Sequence, residues 1–175
     1  MKRHEKEGAA MILAHENIAP GQGHEAGRRL LEKLYRQHTG NSLPPIVHTP
    51  LGKPVFAQGD LHFSITHTPN HVFCALSDRP VGIDAEELSR KINPRLADKL
   101  LSFTEKEQYD SAADQNLALL TFWVLKEAQG KCSAEGLQLW PRHTDFSLND
   151  PRVQQLHGCL LAIVEELEKE NSYAF

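Results

Sequence analysis

Asp84 and Glu86 stand two residues apart in the segment Val81-Gly82-Ile83-Asp84-Ala85-Glu86. In an extended strand such residues share one face about 7 Å apart, while Val81, Ile83 and Ala85 turn to the other side, toward a core. Carboxylates so placed are either screened by solvent or bind a hard cation between their oxygens, as magnesium prefers. Further along the chain Trp123, Glu127 and Lys131 recur at spacings of four, with Lys126 beside them. On a helix they share one face. A glutamate flanked by lysines next to a tryptophan is either a stripe of surface ion pairs or part of a site for phosphate and metal, and the spacing alone leaves both open. Three acids with lysines around a cation would suit attack on a phosphorus atom, where crowded negative oxygens must be neutralised and a proton removed.

Those groups need elements to carry them. Residues 24–37 place Leu30, Leu31, Leu34 and Tyr35 at helical spacing among charged residues, which predicts an amphipathic helix ended by Gly40 and Asn41. A loop rich in proline and glycine follows over 43–59 and carries Lys53. The alternating segment 61–67 and the apolar segment 72–76, separated by Pro69-Asn70, predict two strands joined by a turn, with 81–86 as a third strand of the same antiparallel sheet. Thr104 and Glu107 have capping-box spacing at the start of a short helix. The longest helix is expected over 114–131 with Leu117, Leu120, Trp123 and Val124 on its apolar side, and 160–164 reads as a strand. The fold class is α+β.

Composition narrows the function. A chain of 175 residues with 40% hydrophobic content can bury one good core or two small lobes. Its formal net charge of -4 gives no general attraction to nucleic acid. No apolar run approaches the ~20 residues that span a bilayer, and the mixed-charge start Met1-Lys2-Arg3-His4-Glu5 is unlike an export signal, so a cytoplasmic protein with no membrane partner is expected. Cys74, Cys132 and Cys159 are an odd, dispersed set that reads as packed thiols. His67 and His71 have the spacing of helical zinc ligands, but Pro69-Asn70 between them marks a turn instead.

The motifs Gly82-Ile83-Asp84-Ala85-Glu86 and Trp123-Val124-Leu125-Lys126-Glu127-Ala128-Gln129-Gly130-Lys131 resemble the paired signature of the 4'-phosphopantetheinyl transferase superfamily. Gly52-Lys53-Pro54, the strand end Phe63-Ser64-Ile65-Thr66-His67-Thr68 and Phe103-Thr104-x-x-Glu107 fall in the order expected of that superfamily, and the first two look like its larger, surfactin-type branch. The resemblance covers about residues 28–139. It implies two pseudo-symmetric lobes, each a small antiparallel sheet packed on a long helix, over 1–78 and 79–175. The first lobe would be abbreviated, the boundary would lie near Asp78 to Pro80 and the site would sit between the lobes. It also implies roles: Asp84, Glu86 and Glu127 as magnesium ligands, Glu127 as base, and Lys126 and Lys131 as catalytic lysines. Arg28, Lys53, Thr66, His67 and Lys131 would contact coenzyme A. The partner would be an apo acyl or peptidyl carrier protein whose serine accepts the phosphopantetheine arm, with a monomeric enzyme releasing 3',5'-ADP.

Two other functions use the same residues. A magnesium-dependent phosphohydrolase would direct water at a phosphoester, and a catalytically silent module of the same fold would only capture coenzyme A or a carrier protein.

Overall fold

The computed structural model describes residues 11–133 and 145–166. Along the chain these form β1 (Ile12–Asn17), α1 (Gly23–Thr39), β2 (Ile46–His48), β3 (Pro54–Phe56), β4 (His62–His67), β5 (His71–Ser77) and β6 (Val81–Glu87). After a 3-10 turn at Pro94–Leu96 come α2 (Ala97–Leu100), α3 (Phe103–Ser111), α4 (Gln115–Ser133), β7 (Val153–Leu156) and β8 (Cys159–Glu165). Two antiparallel three-stranded sheets result, ordered β1-β5-β4 and β6-β8-β7, beside a small β2-β3 hairpin.

The two-residue period of the strands explains how the layers stack. On β5, Val72, Cys74 and Leu76 face α1 together with Ala26, Leu30, Leu31 and Leu34. The alternate residues Phe73 and Ala75 face the second sheet, where Val81, Ile83, Ala85, Cys159 and Leu161 meet them. The other face of β8, through Leu160, Ala162 and Val164, packs on α4. The order is therefore helix, sheet, sheet, helix. It explains why β5 reads as a continuous apolar run, since both its faces are buried. The fold is α+β, with each sheet backed by one long helix.

Several expectations need correction. The strand at 81–86 does not join β4 and β5 in one sheet; β6 pairs with β8 from the far end of the chain, a long-range pairing that local alternation cannot announce. The capping box at the start of α3 is Ser102 with Glu105, not Thr104 with Glu107. Ser102 Oγ accepts from the Glu105 amide at 3.2 Å and Glu105 Oε2 accepts from the Ser102 amide at 2.9 Å. The segment 43–59 is more than a connection, because it contains the β2-β3 hairpin. Strand β1 had no counterpart in the sequence reading. Helix α1 does end at Gly40, whose φ of 74° satisfies a left-handed cap. All three cysteines are buried and free. Among the described residues no helix is long and apolar enough to cross a membrane.

Helix α4 is not amphipathic in the expected way. From Ala118 to Ala128 every residue except Trp123 is buried, because β6 and β8 cover one side and α2, α3 and Phe146 the other. Its approach to β6 is set by Gly82, where an added Cβ would fall 2.0 Å from the Ala128 carbonyl oxygen and 2.4 Å from the Cys132 nitrogen. Both are backbone atoms that no rotamer change can move. Gly82→Ala should therefore push the helix away and cost about 1–3 kcal/mol or more. Chemical denaturation of both proteins checks this; an unchanged midpoint would show that strand and helix separate without cost.

Candidate active site

Gly82 also fixes the direction of the chemistry-bearing residues. Because Gly82 faces α4, so do Asp84 and Glu86 by the strand period, and they lie against the helix that carries Glu127 and Lys131. Asp84 is only 7% exposed and Glu127 8%. Neither is a solvated surface acid. Lys131 Nζ donates to Asp84 Oδ1 at 2.7 Å and to the Ile83 carbonyl at 3.1 Å. Glu86 is paired with Arg90, whose guanidinium lies over the Trp123 ring, 5.7 Å from its centroid.

The first sheet reaches the same place. Thr66 Oγ1 donates to Asp84 Oδ1 at 3.1 Å and accepts from the Ala85 amide at 3.3 Å, while Ser64 Oγ accepts from the Ile83 amide at 3.0 Å. The β6 edge away from β8 is thus satisfied by side-chain hydroxyls of β4 instead of a strand, as buried amides require. Thr66 and Asp84, from different sheets, share one hydrogen bond.

Electrostatics at Glu127 follow from this crowding. Burial first, then the Asp84 and Glu86 carboxylates, push its carboxyl up to about 7, against the opposing pull of Lys131 and Arg90. A carboxylate poised near neutrality can both take and give a proton. Asp84 Oδ2 is buried and has no hydrogen-bond partner among the described residues. An orphaned acid oxygen amid further carboxylates fits a divalent cation, which takes oxygen ligands and offsets their mutual repulsion. As the side chains stand, with Lys131 on Asp84 and Arg90 on Glu86, no three His, Cys, Asp or Glu of the described residues form a metal-holding group.

Not every residue suggested by the motifs converges here. Lys126 points away from Asp84. Its Nζ is 2.8 Å from Glu105 Oε2, without hydrogen-bond alignment, and 5.4 Å from the Phe146 ring centroid. Glu105 is fully buried, and its other oxygen accepts from the Phe146 amide at 3.0 Å. Lys53 donates to the Cys132 carbonyl at 3.0 Å, on the last turn of α4, and burial lowers its pKa. A cation there suits the negative end of the helix dipole. Arg28 is exposed on α1, and His67 is exposed at the end of β4 with its ring against Gly23, at the start of α1. The sequence reading missed Arg90, which lies past the end of β6, where no helical or strand period relates it to Glu86. It also missed Ser64, which alternates with Thr66 among apolar strand residues.

The comparisons with known proteins agree with the motifs. The family model for the 4'-phosphopantetheinyl transferase superfamily matches residues 80–173, more than half of the chain. This chain belongs to that superfamily. It is 36% identical over 91 residues to the 4'-phosphopantetheinyl transferase gsp of Aneurinibacillus migulanus, covering 50% of this chain and 37% of that protein. It is 34% identical over 132 residues to the 4'-phosphopantetheinyl transferase AcpT of Escherichia coli strain K12, covering 69% of this chain and 68% of the relative. With the Bacillus subtilis strain 168 transferase Sfp the identity is 32% over 91 residues, 50% of this chain and 40% of Sfp. The matched region thus spans less than half the length of two of these superfamily relatives.

Proposed function

We propose that the chain transfers 4'-phosphopantetheine from coenzyme A to a serine of an apo acyl or peptidyl carrier protein and releases 3',5'-ADP. The observation that carries this reading is the meeting of Asp84, Thr66, Lys131 and Glu127 from two sheets and one helix, with Asp84 Oδ2 unpartnered and Glu127 pushed up to about 7. Family membership supplies the group transferred.

Asp84, Glu86 and Glu127 would hold magnesium, which when bound supplies positive charge to the diphosphate and its leaving oxygen. Lys131, already at Asp84, is within reach of an anion beside that carboxylate and would bind the transferred phosphoryl group. Thr66 keeps Asp84 in place and, with exposed His67, faces the coenzyme from the end of β4. Glu127, buried and poised near neutrality, would accept the proton of the carrier serine as the bond to phosphorus forms, directly or through a water molecule. Lys53 and Arg28 would reach the nucleotide, Lys53 after leaving the Cys132 carbonyl. The geometry favours a structural role for Lys126 over a catalytic one. We further propose a division of labour between the two sheets. Residues up to Asp78 would contribute coenzyme contacts and those from Arg79 onward the metal site, in a monomeric cytoplasmic protein that engages neither nucleic acid nor membrane.

Candidate apo carriers incubated with the protein, coenzyme A and magnesium should gain the mass of one phosphopantetheine group, read by intact mass spectrometry. Coenzyme A incubated without a carrier should stay intact. Release of 3',5'-ADP in that control would favour a phosphohydrolase, and binding without either product would favour the silent module.

A further inference from the structure

Three imidazoles meet where the edge of the first sheet crosses the hairpin of the second. His15 Nε2 on β1 lies 3.1 Å from His71 Nδ1 on β5. The His15 ring also stacks on His157, with centroids 3.8 Å apart and planes 7° from parallel. Phe73 packs against His15, 4.8 Å between centroids. His157 occupies the turn between β7 and β8 at φ 53°, followed by Gly158 at φ 76°, the left-handed pair a two-residue hairpin requires. The Gly158 carbonyl accepts from the Leu88 amide just past β6, which ties the turn to the second sheet.

We propose that His15, with His71 and His157 packed against its ring, forms a pH-sensitive latch, which holds the two sheets together while the His15 ring is neutral and loosens as that ring gains a proton. The role lies outside the proposed transfer reaction and does not depend on it. The contact between His15 and His71 needs one unprotonated nitrogen as acceptor, and the stack on His157 brings two rings face to face, where two positive charges repel. The described charged groups around the cluster are few. Glu16 follows His15 on β1 but is engaged by Arg29 and Lys33 of α1. Glu87 of β6 accepts from Thr68 and Asn70 and feels the charge of His71. Burial first, then His157 and His71, hold His15 below the ordinary histidine range, with Glu16 opposing. A base with a depressed folded pKa contributes stability that is full above the unfolded value of about 6.5. That stability is lost as pH falls through the lower folded value.

The consequence reaches the candidate active site through the seam between the sheets. Ser64 and Thr66 hold the Ile83 and Ala85 amides across it, and Thr66 holds Asp84. Exchange of those two amides reports opening of the seam. Measured by NMR in Glu127→Gln, which removes the opposite pH response of that carboxyl, and corrected for intrinsic rates, their protection should fall several-fold between about pH 7.5 and pH 5.5. In His15→Phe, which keeps an aromatic ring in the stack but cannot gain a proton, the fall should vanish. In His157→Asn, which suits the left-handed turn, it should shrink, and in His48→Gln, an exposed site on β2, it should persist. In that background, no fall with all three histidines present, or the same fall with them and in both latch variants, would overturn the latch. If His15→Phe does not fold, His157→Asn decides alone. The measurement uses neither metal nor coenzyme, so its failure leaves the proposed transfer untouched.

Discussion

Glu127→Gln should lower the rate of carrier modification by roughly 100-fold or more at saturating magnesium, while the protein still folds. The substitution keeps the shape of a side chain that is 8% exposed but removes its charge and its ability to accept a proton. Stability should respond in a way a surface ion pair would not. Because burial and the neighbouring carboxylates raise the folded pKa to about 7, well above the unfolded value of about 4.3, protonated Glu127 favours the folded state. That contribution is complete below the unfolded pKa and is lost as pH rises through about 7. Without metal, the parent should therefore lose stability between about pH 5 and pH 8 from this group, and Glu127→Gln should flatten that dependence. Thermal unfolding at several pH values and a carrier assay together test the point. A folded variant with near-parental turnover would remove Glu127 from the chemistry.

Its neighbour should behave in the opposite way. Lys126→Met leaves fully buried Glu105 without its only ionic partner among the described residues, and breaking such a pair typically costs about 3–5 kcal/mol. For a chain of this size the unfolding midpoint should drop by roughly 10 °C. Turnover per folded molecule, measured well below that midpoint, should stay within a few-fold of the parent, since Lys126 faces Glu105 and Phe146 and not Asp84. Adding Glu105→Gln should recover part of the lost stability by removing the stranded charge. A large fall in turnover with no loss of stability would instead bring Lys126 to the phosphates.

Period-two and period-four spacings identify which residues share a face, so Asp84 with Glu86 and Glu127 with Lys131 were visible as pairs. Spacing does not say which face of a helix is buried when both are. Lys126 and Glu127 were equally plausible as site residues, and only the position of α3, with Glu105 at its capping box, separates them. Pairing between distant segments was hidden for a related reason. Strand β6 carries the acids and looked like a natural third strand beside β4 and β5, yet its hydrogen-bond partner begins at Cys159. The seam with β4 is made of two hydroxyls, Ser64 and Thr66, whose importance depends entirely on which amides lie opposite. The histidine cluster draws on positions 15, 71 and 157, and no local pattern relates them.

The opposite orientations of Lys126 and Glu127 on α4 also limit how the gene can vary in length. Each residue of an α-helix turns about 100° from the last. Deleting one codon within the first half of α4, with the start of the helix held in place, would move Glu127 into the angular place of Lys126. A glutamate would then face buried Glu105, and Ala128 would take the place beside Asp84. One missing residue would cost the fold its buried ion pair and the site its carboxylate together. The exposed tip Pro50 to Gly52 of the turn between β2 and β3 carries no such helical register and should tolerate insertions that α4 does not.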